Sequence, residues 1–153
     1  MICWDTCKED FRWDGSLRDI YITPATPADW QALFPLLRDV PGVEYSVDGV
    51  VQPPPDFVEQ TFAVRPLGSP MRRFGIGRTL IVFHFFSDEE IECDFEPRDV
   101  TSQSDLDAVL GFVQRIDDTV HRPVIVTPQN IREQPFITYD PERRKFEYHE
   151  LAV

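Results

Sequence analysis

The clearest pattern of apolar and polar positions runs from residue 90 to residue 96, where acidic and apolar side chains alternate strictly. A period of two is typical of a β-strand whose two faces differ in chemistry. Carboxylates two residues apart on such a strand lie roughly 7 Å from each other and repel. A basic partner or plain solvation must therefore account for the acidic side chains of this strand, which are Glu90, Glu92, Asp94 and Glu96.

A β-rich run over residues 79–86 precedes the acidic strand, and Asp88-Glu89 is predicted to turn one into the other. On the face expected to pack against a helix, the predicted pairs are Phe86 with Ile91, His84 with Cys93, and Val82 with Phe95. On the other face, they are Phe85 with Glu92, Phe83 with Asp94, and Ile81 with Glu96. Aromatic rings among carboxylates have the composition of an interface core with a charged rim. The alternative is that Phe83 and Phe85 lie beneath another element, with the acids at its margin.

Two amphipathic helices are predicted. The first begins after Thr26, because Thr caps helices, Pro27 suits the first position and Asp29 suits the third. Pro35 predicts a kink or an early end, since it lacks a backbone N–H. The second helix opens at residues 104–107, and its apolar stripe consists of Leu106, Val109, Leu110, Val113, Ile116 and Val120.

The remaining pattern predicts mostly short strands. Hairpins are expected over residues 11–22 and 43–51, around Asp-Gly turns, and over residues 136–148. A buried strand is expected at 123–127, a short helix is one reading of 56–62, and 65–78 is interpreted as a loop. The sequence thus predicts an α+β fold: residues 1–153 as a single two-layer domain, with a mainly antiparallel sheet of hairpins packed against two helices. Residues 1–10 are a candidate for poor order.

The charge balance narrows the classes of partner. The 27 acids and 15 bases of the 153 residues give a net charge of −12, which disfavours nucleic acid and anionic membranes and favours a basic partner. The alternative is a solvated acidic surface. No run of 18 apolar residues and no signal-peptide pattern is found, so no membrane span is expected. Three cysteines, an odd number, suit a reducing compartment, and a cytoplasmic location is expected.

Candidate catalytic chemistry is sparse. No nucleophile elbow or H-E-x-x-H motif occurs, so the chain is not expected to be an enzyme and no cofactor is expected. His84 opposite Cys93 would give only two metal ligands, so no metal site is expected. The acid-free tract from Arg65 to Arg78 suggests an alternative, an anionic-ligand site formed by Arg72, Arg73 and Arg78. Its glycines precede a strand rather than a helix, which argues against a phosphate-binding loop.

Three segments resemble a group of small bacterial proteins: residues 13–21, 85–95 and 123–130. In its size, acidity and lack of a catalytic motif, the chain is similar to immunity proteins of bacterial polymorphic-toxin systems. That resemblance implies a binding protein that blocks a cognate toxin enzyme. No functional residue is carried over from the family, because none is anchored to these segments.

The sequence hypothesis is therefore an immunity protein whose acidic face occludes the active site of a basic toxin. The residues expected to bind the partner are Phe83, Phe85, Asp88, Glu89, Glu90, Glu92, Asp94 and Glu96. One alternative is a small enzyme or anionic-ligand-binding domain that uses the tract from Arg65 to Arg78. Another is a module that self-associates through an exposed hairpin edge, as a weak homo-oligomer.

Overall fold

The computed structural model describes residues 1–151, which form nine strands in one antiparallel sheet and four α-helices. The predicted α+β class is confirmed. The strands are β1 Arg18–Ile22, β2 Glu44–Val47, β3 Val50–Gln52, β4 Pro70–Ile76, β5 Thr79–His84, β6 Ile91–Phe95, β7 Val124–Pro128, β8 Ile137–Asp140 and β9 Lys145–Tyr148. The helices are α1 Trp4–Cys7, α2 Pro27–Asp39, α3 Val58–Val64 and α4 Gln103–Val120.

The strand order is β3-β2-β4-β5-β6-β1-β7-β8-β9, so the first strand of the chain lies in the middle of the sheet. All four helices lie over the same face. Ring contacts place α2 and α3 over Phe85 and place α4 over Phe83. The N-terminal helix α1 joins this layer through the bond from Trp4 N to the Gln103 side chain of α4. We call this side the helix face and the opposite side the open face; strand residues point alternately to the two.

The N-terminal segment differs from its prediction. Residues 11–22 do not form a hairpin; α1 and a 3-10 turn, Lys8–Phe11, precede β1, which pairs with β6 and β7. The proposed poor order of residues 1–10 is also wrong, because Ile2 and Cys7 are buried in the core. Phe11 is buried between Phe95 and Phe136, at ring-centroid distances of 6.2 and 5.6 Å. The segment therefore closes one end of the core.

The two predicted long helices are present. Thr26 Oγ1 accepts from Asp29 N at 3.1 Å and the Asp29 carboxylate accepts from Thr26 N at 3.0 Å, which confirms the predicted cap of α2. The early end expected at Pro35 is wrong, because α2 continues to Asp39. Burial of Leu33 and Leu37 on either side of Pro35 stabilises the helix across the missing hydrogen bond. The second helix, α4, is capped by Ser102 and so begins slightly earlier than predicted.

Some of the shorter elements agree with their predictions and others do not. The hairpin of β2 and β3 is confirmed, with Asp48 and Gly49 at φ of +50° and +81° as its turn requires. The hairpin of β8 and β9 and the strand β7 are also confirmed. The loop predicted for residues 65–78 is wrong, because β4 occupies half of this segment and pairs with β2 and β5. Within residues 1–151, no helix combines the length and apolarity that a bilayer crossing requires.

Candidate interaction face

The predicted pairing of the central hairpin is wrong by one residue. His84 lies opposite Glu92, Phe83 opposite Cys93, and Ile81 opposite Phe95. Successive side chains of a strand point to opposite faces of the sheet. A register shift of one residue therefore places the side chains of β5 on the face opposite to the predicted one, relative to β6. The aromatic residues therefore join the helix face, while the carboxylates of β6 share the open face with His84.

Phe83 and Phe85 are core residues rather than partner-binding residues on an exposed face, with 0% and 1% of their surface exposed. Phe85 packs against Trp30 of α2 at a centroid distance of 4.8 Å, and Phe83 packs against Phe112 of α4 at 6.2 Å. Trp30 also fixes the turn, since its indole N–H lies 3.2 Å from Ser87 O and 3.1 Å from Glu90 O. This contact from another element sets the register that the hairpin sequence alone left open.

Three carboxylates converge at the centre of the open face, on two neighbouring strands. Asp19 of β1 lies directly opposite Asp94 of β6, and Tyr21 lies opposite Glu92. His84 Nε2 approaches Asp94 Oδ2 to 2.7 Å from the other side. The helix face buries the apolar residues of these strands, so the acidic side chains lie where no helix of residues 1–151 covers them.

Burial changes the protonation of this cluster. Asp19 is 2% exposed and accepts from Tyr21 OH at 2.8 Å and from Asn130 N at 2.7 Å. Burial nevertheless dominates and raises the pKa of Asp19 above its usual value. Burial also raises the pKa of Glu92, and the nearby Asp19 carboxylate adds to that effect. The environment of Asp19 and Glu92 thus opposes their ionisation relative to carboxyl groups in water.

His84 is the one base in ion-pair contact with these three carboxylates among residues 1–151. Burial lowers its pKa, but the hydrogen bond to Asp94 and the charges of Asp94, Glu92 and Asp19 outweigh it, so the pKa of His84 is raised. The imidazole stacks on the ring of Phe86, with centroids 4.9 Å apart and planes 4° from parallel. Phe86 is 53% exposed, so an aromatic ring does lie beside the acids of the open face.

The margin of the cluster is partly neutralised. Arg132 forms a bidentate ion pair with Glu90 and lies 4.3 Å from the centroid of the Tyr21 ring. At the other end of the strand, Glu96 pairs with Arg98. Asp88 and Glu89 at the tip of the turn are exposed, as predicted. Glu92 and Asp94 thus lie centrally among the predicted acids, with Glu90 and Glu96 paired at the ends.

The acidic hairpin does not offer a free edge. Strand β5 pairs with β4, and β6 pairs with β1, so the self-association proposed through this hairpin edge is wrong in its location. The edge strands of the sheet are β3 and β9.

The three arginines of the alternative site do not converge. Arg72 points to the helix face and is 1% exposed. Its neighbour Arg73 points to the open face and pairs with Glu44 at 3.1 Å. Arg78 is exposed near Thr101 and Asp105. The anionic-ligand site formed jointly by these three residues is therefore not assembled.

The open face offers little chemistry of its own. His84 and Asp94 could exchange a proton, yet within residues 1–151 no serine, threonine or cysteine hydrogen-bonds to this imidazole. The same residues contain no group of three or more His, Cys, Asp or Glu side chains placed to hold a metal ion. What the arrangement can do is present a compact negative charge beside an exposed ring.

Sequence reasoning missed five residues of this face: Asp19, Tyr21, His84, Phe86 and Arg132. The alternation of His84 with the buried phenylalanines would have identified His84 and Phe86 as outward residues once the register was known. No comparable signal connects Asp19 or Arg132 to the acidic strand, since strand order brings them there.

Comparison with protein-family models, with curated proteins and with solved structures finds no match for this chain.

Proposed function

We propose that this chain is a binding protein that docks a basic protein on its open face, and that the partner is the toxin enzyme of a bacterial polymorphic-toxin pair. The observation that carries the proposal is the group of open-face carboxylates, the half-buried Glu92 and Asp94 with the buried Asp19 beside them, for which residues 1–151 supply a single ion-pairing base, His84. A cationic side chain of a partner would complete this group. It would also oppose the effects of burial and of the Asp19 charge, which together raise the pKa of Glu92.

The surroundings of the group support a protein partner rather than a small ion. Leu80 of β5 and Phe86, two residues beyond the end of β5, are 41% and 53% exposed and flank Val82 and His84. An apolar contact bordering a charged centre is a usual composition for a protein interface. A net charge of −12 would also draw a basic partner towards the chain over a distance set by the ionic strength.

Neutralisation by this route needs no catalytic group in the inhibitor. A sheet face seated over a basic cleft would exclude the substrate of the toxin by occupying its space. Opposite charges can raise the association rate constant to about 10⁸ M⁻¹s⁻¹ at low salt. Charge complementarity would thus make inhibition fast enough to protect a cell that produces both proteins.

The test uses the toxin domain encoded next to this chain, purified and mixed with the wild type and with two matched variants. Asp88→Lys/Glu92→Lys changes the charge of the open face, whereas Glu59→Lys/Glu142→Lys makes the same change at exposed positions of α3 and the β8–β9 turn. The first variant is expected to associate roughly tenfold more slowly at low salt, and the second about as fast as the wild type. Circular dichroism verifies that both variants are folded.

Two outcomes would contradict the proposal. If the wild type neither binds nor inhibits the toxin domain, the immunity function is wrong. If both folded variants slow association equally, net charge alone is acting and the open face is not the docking surface.

A further inference from the structure

Two buried arginines of the sheet differ sharply in how their guanidinium groups are satisfied. Arg18 is 4% exposed, and its three guanidinium nitrogens donate to four carbonyl oxygens and to the Asp14 carboxylate. Arg72 is 1% exposed and makes one hydrogen bond, from Nη2 to Pro55 O at 3.1 Å. Its Nε has no hydrogen-bond partner, and within residues 1–151 no carboxylate forms an ion pair with its guanidinium. A buried cation without a counter-ion is costly, so its retention calls for an explanation.

Aromatic rings account for part of that explanation. The guanidinium carbon of Arg72 lies 4.4 Å from the centroid of Phe34 and 5.7 Å from that of Tyr45. Both rings lie within cation–π distance of the guanidinium and stabilise its charge. They leave the N–H of Nε without an acceptor, and a planar anion binds a guanidinium through the N–H groups in its plane. Burial lowers the pKa of Arg72, and the charge of Arg38 adds to that effect against an opposing contribution from Tyr45.

Arg72 lies at the wall of a cavity of about 400 Å³ between α2, the segment before α3, and β4. Arg38, in the last turn of α2, lines the same cavity and is more than half exposed beside Asp39. The ring of Phe57, 55% exposed, lines it as well. The carboxylate of Asp56 is the acidic group among the lining residues, so the cavity carries two cations and one anion. Its volume is in the range of small-molecule sites.

We propose that this cavity binds a small aromatic anion, a carboxylate or a phosphate ester, whose charged group is held by Arg72 and Arg38 and whose flat apolar part lies against Phe57. The anion would supply the counter-charge that Arg72 lacks, and the exposed ring would lose contact with water. The site lies on the helix face and is separate from the docking surface proposed above. A failure of one proposal would therefore leave the other unaffected.

Titration of the intact chain with sodium benzoate, phenyl phosphate and inorganic phosphate tests this proposal by calorimetry and by amide chemical shifts. We expect saturable binding of at least one aromatic probe with a dissociation constant of about 1 mM or below. Binding that favours benzoate assigns a carboxylate ligand, and binding that favours phenyl phosphate assigns a phosphate ester. Absence of saturable binding of both aromatic probes overturns the proposal, as does equally tight binding of inorganic phosphate.

Three variants locate the site. Arg72→Met should abolish binding, while Arg73→Met, one residue along the strand but facing the other side, should leave it unchanged. Because Arg72→Met could disturb folding, Arg38→Gln provides a second test at a more exposed position. Loss of its charge should weaken probe binding roughly fivefold or more. Unchanged affinity in Arg38→Gln, or loss of affinity in Arg73→Met, overturns the assignment.

Discussion

His84 Nε2 lies 2.7 Å from Asp94 Oδ2 across two neighbouring central strands of the sheet. Both side chains are largely buried, at 18% and 14% exposure, although they point away from the helices. Solvent screening of this pair is therefore weaker than for a fully exposed ion pair. The pair couples the protonation of one imidazole to the charge of the whole central cluster, so acidity should alter both stability and partner binding.

The first prediction concerns His84→Gln and pH. The folded state raises the pKa of His84 above its ordinary value of 6.5, so the protonated imidazole stabilises the fold fully below pH 6.5. That contribution disappears as the pH rises through the folded-state pKa. We therefore expect His84→Gln to lower the free energy of unfolding by about 1–2 kcal/mol at pH 6 and by less at pH 8.5. Urea denaturation at a series of pH values measures this difference.

His149→Gln serves as the control for that series, because His149 is exposed and bonds to Thr138 at the edge of the sheet. This variant removes an imidazole without touching Asp94 or Glu92. A loss for His84→Gln that stays constant or grows towards alkaline pH would be incompatible with the assigned role of the pair.

The second prediction compares two adjacent phenylalanines. Phe85 is 1% exposed and packs between Trp30 and Phe62, so Phe85→Ala should lower the free energy of unfolding by about 3–5 kcal/mol. Phe86 is 53% exposed, and Phe86→Ala should change that free energy by less than about 1 kcal/mol. It should instead accelerate dissociation from the partner proposed for the open face. Chemical denaturation and dissociation kinetics separate the two effects, and similar losses of stability would contradict the observed register.

The third prediction concerns the indole of Trp30. Its N–H donates to Ser87 O and Glu90 O and so fixes the turn between β5 and β6. Trp30→Phe keeps an aromatic ring but leaves these carbonyls without the donor, which should cost about 1–3 kcal/mol of unfolding free energy. Amide exchange of residues 87–90 should accelerate more than exchange in α4. Equal acceleration in both places would mean that the substitution destabilises the core as a whole.

The fourth prediction concerns Arg18, whose guanidinium holds the N-terminal segment on the sheet through Asp10 O, Arg12 O and nearby groups. Arg18→Met leaves those carbonyls without a donor, so we expect a loss of about 2–4 kcal/mol. Arg12→Met is the control, since Arg12 is exposed and pairs with Glu9 on the surface. Proteolysis should cleave residues 8–17 faster in Arg18→Met alone. Resistance equal to the wild type would exclude this anchoring role.

Local signals in the sequence predicted the elements whose geometry is local. The cap of α2 depends on Thr26 and Asp29, three residues apart, and the turn of β2 and β3 depends on Asp48-Gly49. Residues this close in sequence determine such features almost alone. The acidic strand, the clearest of the patterns, was likewise assigned correctly as a strand.

The predictions from the sequence were wrong where residues distant in the chain determine the structure. The register of β5 against β6 depends on Trp30, about 60 residues away from Glu90, so the turn sequence could not specify which face receives Phe83. Strand β4 was obscured by Pro70 and Gly75, residues that disfavour strands. Pro70 opens the strand, and Gly75 precedes its last residue, where neither position prevents pairing with β5. The cluster of Asp19 with Asp94 depends on strand order, which the pattern of single strands does not contain.

The central position of β1 has a consequence for synthesis on the ribosome. Residues 18–22 leave the exit tunnel early, yet both of their neighbours in the sheet, residues 91–95 and 124–128, are made much later. The nascent chain therefore carries β1 without its two neighbours until residues 91–95 and 124–128 have been made, and cooperative closure of the sheet must await residues 124–128. Truncated products released before residue 124 would expose β1 along one edge, which makes them natural substrates for chaperones and proteases.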